Sequence, residues 1–79
     1  MAPTRIRRAF KANGPAIAAI REARGISVGA FANRIECSYS YLCNIEAGRK
    51  PGSPEILRRI ADELNVSLDA ITVPVVDAA

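Results

Sequence analysis

The chain is predicted to be all-α, a compact bundle of about five short helices, and three observations lead there. Helix-start and helix-stop residues divide it into short segments. Between those breaks the apolar residues recur three and four positions apart, and nothing in the body alternates with the period of a strand. Hydrophobic residues make up 49% of the 79 positions while aromatics supply only 5%. Leu, Ile, Val and Ala must therefore build the core, and a core poor in large rings suits closely packed helices.

The elements follow in order. Asn13-Gly14-Pro15 opens the first helix, because Asn caps and Pro tolerates a first-turn position. Ile17 and Ile20, with Ala16, Ala19 and Ala23, form its apolar stripe, and Gly25 ends it with a left-handed backbone. Ser27 caps the second helix, whose inward side is Val28, Phe31, Ala32 and Ile35; Gly29 weakens it by up to about 1 kcal/mol against Ala. After the short joint Glu36-Cys37, Ser38 caps a third helix that runs to Ala47 and stops at Gly48. Arg49-Lys50-Pro51-Gly52 is a loop. Ser53-Pro54-Glu55 supplies a cap, a first-turn Pro and an acid at the positive end of the dipole, and Leu57, Ile60, Ala61 and Leu64 then face inward. Asn65 ends that helix, and Ser67-Leu68-Asp69 opens a last one through Ile71. From Thr72 the chain is extended: Val73, Pro74, Val75 and Val76 need cover, and Pro74 confines them to an edge. The domain plan is a basic N-terminal arm over 1–13, a helical domain over 14–72 and a short apolar tail over 73–79. Two helices joined by a short turn, then another after a basic loop, suggest a helix-turn-helix.

The formal net charge is +3, and its distribution is more informative. Residues 1–24 hold six basic groups against Glu22, a balance of +5, and the remainder is −2. One end of the chain thus suits a polyanion. No run approaches a membrane span of roughly 20 apolar residues, and no apolar run of signal-peptide length follows the basic start. The expectation is a cytoplasmic protein with no membrane contact, in which Cys37 and Cys43 are free thiols. There is no His, neither thiol has an evident base, and no glycine-rich loop cradles phosphate. The chain is therefore expected not to be an enzyme and to take no metal, cofactor or small-molecule ligand.

On a helical wheel of about 100° per residue, Leu42 and Ile45 share one side of the third helix. Ser40, Cys43, Asn44 and Ala47 lie opposite, Tyr39 and Tyr41 flank, and Glu46 lies at the edge of the buried stripe. A merely solvated helix more often carries Lys and Glu on its open face. Small residues with hydroxyl and amide tips suit close approach to the base edges of a DNA groove.

The segment "GISVGAFANRIECSYSYLCNIEAGRKPGSPEILRRIADELNVSLDAI" resembles the Cro/cI-type helix-turn-helix family, also called the xenobiotic-response-element type, whose fold is lambda-repressor-like. The resemblance covers residues 16–71, most specifically Ser38, Tyr41 and Leu42, Ile45-Glu46, Gly48-Arg49 and Pro54 onward. It implies a sequence-specific regulator of double-stranded DNA, a phage or bacterial repressor associated with the nucleoid. The third helix would lie in the major groove, with Ser38, Tyr39, Ser40, Cys43 and Asn44 reading bases, Asn44 through a bidentate contact to adenine. Tyr41, Arg49 and Lys50 would touch phosphate, and Arg5, Arg7 and Arg8 of the arm would track phosphates or enter a minor groove. The family also implies an ion pair between Arg21, which points inward beside Ile17 and Ile20, and Glu46. A homodimer through the C-terminal region would set a two-fold site.

Three positions depart from the family pattern. Val28 stands where Gln usually opens the second helix, Gly29 where Glu is frequent, and Glu36 where Gly is usual in the turn. The phosphate clamp of that helix would then rest on backbone N–H groups. The competing reading is a protein-interaction module on the same fold, an antitoxin-like or antirepressor-like partner binder.

Overall fold

The computed structural model describes residues 8–76. Five helices are present: α1 (Gly14–Ala23), α2 (Val28–Arg34), α3 (Tyr39–Glu46), α4 (Pro54–Leu64) and α5 (Leu68–Ile71). Two short strands flank them, β1 (Arg8–Ala12) and β2 (Thr72–Val76).

The starts and stops obey local chemistry. The Asn13 side chain accepts from the Ala16 N–H, and Ser27, Ser38 and Ser53 do the same for Ala30, Tyr41 and Ile56. Ser67 makes no such bond, consistent with the brevity of α5. At the other ends, α1 to α4 each close with a doubled backbone bond across a left-handed residue. Those residues are Gly25, Glu36, Gly48 and Asn65.

Phe31, Ile17, Ile35, Leu42, Ile45, Ile60, Leu64 and Ile71 are fully buried and draw on all five helices. Only one aromatic ring lies among them. The α1 stripe is narrower than expected: Ala19 and Ala23 are exposed, while Gly14, Ile17 and Arg21 are buried. α1 and α2 both pack on α3, and α4 packs on α5.

The terminal segments differ most from expectation. Residues 8–12 of the anticipated arm form β1, paired antiparallel with β2 from Arg8↔Val76 to Ala12↔Thr72. The tail thus pairs with its own N-terminal segment. Pairing satisfies the backbone groups of each segment that face the other strand. With two strands, both are edges, so Pro74 costs no central ladder bond. The pairing is also pinned to the helical body, because the Asn13 N–H donates to the Ile71 carbonyl at 2.8 Å. Arg5 and Arg7 lie outside the described residues. Among the described residues, no helix is long and apolar enough to cross a membrane.

Candidate nucleic-acid interface

α3 is fixed from beneath. Leu42 and Ile45 are completely buried. At its C-terminal end Arg21 of α1 grips Glu46 with two parallel bonds, Nε to Oε2 at 2.8 Å and Nη2 to Oε1 at 3.0 Å. Arg21 Nη1 also donates to the Ile26 carbonyl at 2.7 Å. The hydrogen bonds to Glu46 hold the guanidinium pKa above its ordinary value against the opposing effect of burial. Side-chain exposures of 7% and 11% mark it as largely desolvated. The structure thus brings together the two residues that the family pattern pairs.

Gly14 sets how closely α1 approaches this end. A Cβ there would stand 2.6 Å from the Ile45 carbonyl oxygen and closer still to that of Glu46. No side chain fits, so the first turn of α1 abuts the last carbonyls of α3. Sequence reading treated Gly14 as part of a start signal, and nothing local marks it as a packing residue.

The open side of α3 carries the predicted base readers. Tyr39 is 62% exposed, Ser40 is exposed, and Cys43 and Asn44 are half-buried. A side-chain hydrogen bond with Cys43 raises the Tyr39 phenol pKa, so the phenol stays protonated near neutral pH. Ser38 is exposed, and its oxygen accepts the Tyr41 N–H, which leaves its own proton to donate outward. Tyr41 is half-buried, and its hydroxyl oxygen accepts the Ser53 N–H at 3.1 Å, tying α3 to the cap of α4. The phenolic proton is not spent in that bond.

Beyond α3, Arg49 and Lys50 are exposed, and their N–H groups turn back to the Asn44 carbonyl at 2.9 and 3.3 Å. Arg49 Nη1 also donates to Asn44 Oδ1 at 3.2 Å. The same loop receives the end of β1, since the Ala12 N–H donates to the Pro51 carbonyl at 2.8 Å. The Ala12 end of β1 therefore lies beside the basic loop, and Arg8 lies at the far end of that strand.

At the N-terminal end, the turn between α2 and α3 places Glu36 at φ 60°. Arg59 of α4 supports it, donating to the Ile35 carbonyl at 3.1 Å and standing 3.8 Å from the Glu36 carboxylate. Val28 is half-buried against the core rather than offering an amide to the surface. Burial raises the Cys37 thiol pKa, with Arg59 opposing, and both Cys37 and Cys43 are free thiols. The supporting roles of Arg59 and Tyr41 depend on contacts 12 or more residues away and leave no local signal.

Solved structures of regulators share this arrangement. The chain superposes on the clp gene regulator ClgR from Corynebacterium glutamicum with a TM-score of 0.68 at 31% identity, covering 72% of this chain and 62% of that one. The restriction-modification controller protein C.AhdI from Aeromonas hydrophila matches at TM-score 0.69 and 23% identity, over 72% of this chain and 86% of its own, a likeness of fold alone. SinR, the master regulator for biofilm formation, solved in complex with DNA, gives 0.66 and 28% over 71% and 90%. Among curated proteins none matches the chain. A family model described as a helix-turn-helix domain matches residues 14–72. With α2 and α3 joined across the Glu36 turn and α3 open on one side, the chain belongs to the helix-turn-helix domain family, and its structural neighbours are Cro/cI-like regulators.

Proposed function

We propose that this protein is a sequence-specific repressor of transcription, of phage or bacterial origin, that reads the major groove of double-stranded DNA with helix 38–47. The observation that carries the reading is the division of α3. Leu42 and Ile45 are sealed in the core, while Tyr39, Ser40, Cys43 and Asn44 on the other side carry hydroxyl, thiol and amide tips without a charge. Ser38, Tyr39, Ser40, Cys43 and Asn44 read bases. Tyr41, Arg49 and Lys50, with Arg5, Arg7 and Arg8, hold phosphate and supply affinity that falls with salt. The likeness to SinR, a protein solved on DNA, supports the same reading. Selection of bound duplexes from a random pool tests it: one enriched motif is expected, and no enrichment overturns it.

The protein acts as a homodimer through the β1–β2 pair and α5. Phe10 and Leu68 are 54% and 40% exposed on that side. A groove of about 430 Å³ runs between them and α4, lined by Phe10, Pro54, Leu57, Leu68 and Thr72, with Arg58 and Asp69 also at it. Arg58 and Asp69 are of opposite charge, which suits a self-complementary two-fold contact. Two copies of α3 would then lie roughly 34 Å apart and select a pseudo-palindrome. Sedimentation of the wild type and of Leu68→Glu checks this. A dimer lost in the variant is expected; a wild-type monomer at tens of micromolar with an asymmetric selected site overturns it.

A further inference from the structure

Asn44 and Arg49 are joined more closely than separate roles in base reading and phosphate contact require. The end of α3 explains why. Gly48 takes a left-handed conformation at φ 83°, its N–H returns to the Ile45 carbonyl at 3.1 Å, and the Arg49 N–H returns to the Asn44 carbonyl at 2.9 Å. This doubled closure folds the second residue past the helix back over the residue three places inside its end. A hydrophobic contact frequently accompanies that juxtaposition. Here it is polar: Arg49 Nη1 donates to Asn44 Oδ1 at 3.2 Å.

The bond fixes the amide's orientation. A guanidinium can only donate, so the amide atom facing it must be the oxygen. The Nδ2 group therefore points away from Arg49, and no described residue accepts from it. Reading adenine with both amide atoms needs Oδ1 to accept from the N6 amino group and Nδ2 to donate to N7. One of the two Oδ1 lone pairs is taken by the guanidinium, so the pair offers the groove chiefly donors: those of Nδ2 and, beside them, the remaining N–H groups of Arg49. Guanine presents two adjacent acceptors, N7 and O6, on its major-groove edge, whereas adenine places a donor next to N7.

We infer that Asn44 and Arg49 form one donor-rich reading unit whose preferred partner is guanine, and that Arg49 is a specificity-determining residue in addition to a phosphate contact. The inference rests on the reading of α3 as the groove helix. Its chemical content is separate, since a helix that reads DNA through Asn44 alone would favour adenine at the same position.

The test is selection from a random duplex pool with the wild type, Asn44→Ala, Arg49→Ala and Arg49→Lys, followed by binding to all single-base variants of the enriched site. Arg49→Lys keeps the charge and loses the planar fork, and Arg49 is exposed, so the fold is retained. The wild type is expected to prefer guanine by roughly tenfold or more at one position. Asn44→Ala and both Arg49 variants should flatten the preference at that same position, with the salt dependence of Arg49→Lys nearer to wild type than that of Arg49→Ala. An adenine at the position flattened by Asn44→Ala overturns the inference. So does an Arg49→Lys profile that keeps wild-type preference throughout, or an Arg49→Ala variant weakened equally on every sequence. A wild type that enriches no duplex overturns the regulator reading itself and this inference with it.

Discussion

The two joints that flank α3 close with the same backbone geometry and are supported in opposite ways. The C-terminal joint uses Gly48 at its left-handed position and is anchored in the interior. Glu46 is locked to Arg21, Gly14 abuts the last carbonyls, and Tyr41 holds the Ser53 N–H. The N-terminal joint uses Glu36 at its left-handed position and is supported from outside. Its support is Arg59, 37% exposed, facing a Glu36 side chain that is 79% exposed. The difference shows where α3 draws its rigidity. Its last turn is set by desolvated contacts that fix both depth and angle, while its first turn is held by its Ser38 cap and by solvated charges. The first turn of α3, which carries Tyr39 and Ser40, is thus the end with less invested in it, while Asn44 lies at the better-anchored end.

The largest expected effect comes from breaking the interior anchor. Glu46→Ala leaves the Arg21 guanidinium in a site with 7% exposure, with only the exposed Glu22 carboxylate 3.8 Å away, a loss of about 3 kcal/mol for a largely buried pair. Thermal or urea unfolding of the variant checks it. A change of a few tenths would mean that the pair contributes nothing to holding the joint. Glu46→Gln, which keeps the shape and one acceptor, should fall between the two.

At the same joint, Gly48→Ala places a Cβ on a residue at φ 83° with nothing within 4 Å of it. The cost is therefore conformational rather than steric, about 1 kcal/mol, and urea midpoints report it. Tyr41→Phe removes the acceptor of the Ser53 N–H and should cost roughly 0.5–1.5 kcal/mol. Faster hydrogen exchange at Ser53 with little change elsewhere would place that loss in the joint; unchanged exchange would show the bond to be dispensable.

These joints also show what sequence could and could not convey. Ser38, Gly48 and the Leu42–Ile45 stripe announce α3 by residue type and spacing, and the Arg21–Glu46 pair is legible because the family pattern and the inward angle of Arg21 agree. Gly14, Arg59 and the Tyr41–Ser53 bond are not, because each acts on a segment that only tertiary packing brings near. The β1–β2 pairing is illegible for a similar reason: 59 residues separate the registered ends Ala12 and Thr72 of the two strands. Neither strand alternates clearly enough to be read alone. On the candidate site, the residue types of the open face were readable, but the bond that turns the Asn44 amide was not.

The smallest effect is expected at the N-terminal joint and has the opposite sign. A residue other than Gly at φ 60° carries a conformational cost of about 1–2 kcal/mol that Gly does not. Glu36→Gly removes it. Against this stand the extra freedom that Gly gives the unfolded chain, roughly 0.5–1 kcal/mol, and the loss of a 3.8 Å contact to Arg59. That contact lies between exposed side chains, where an ion pair contributes little after screening. Arg59 keeps its bonds to the Ile35 carbonyl and to Glu55 at 2.9 Å, so the joint retains its outer support. The net expectation is a gain of about 0.5 kcal/mol, read as a higher urea midpoint with an unchanged slope. A loss of stability in Glu36→Gly would show that the exposed charge, and not the backbone, holds this joint. The contrast with the Gly48 side would then lie in electrostatics and should diminish in high salt.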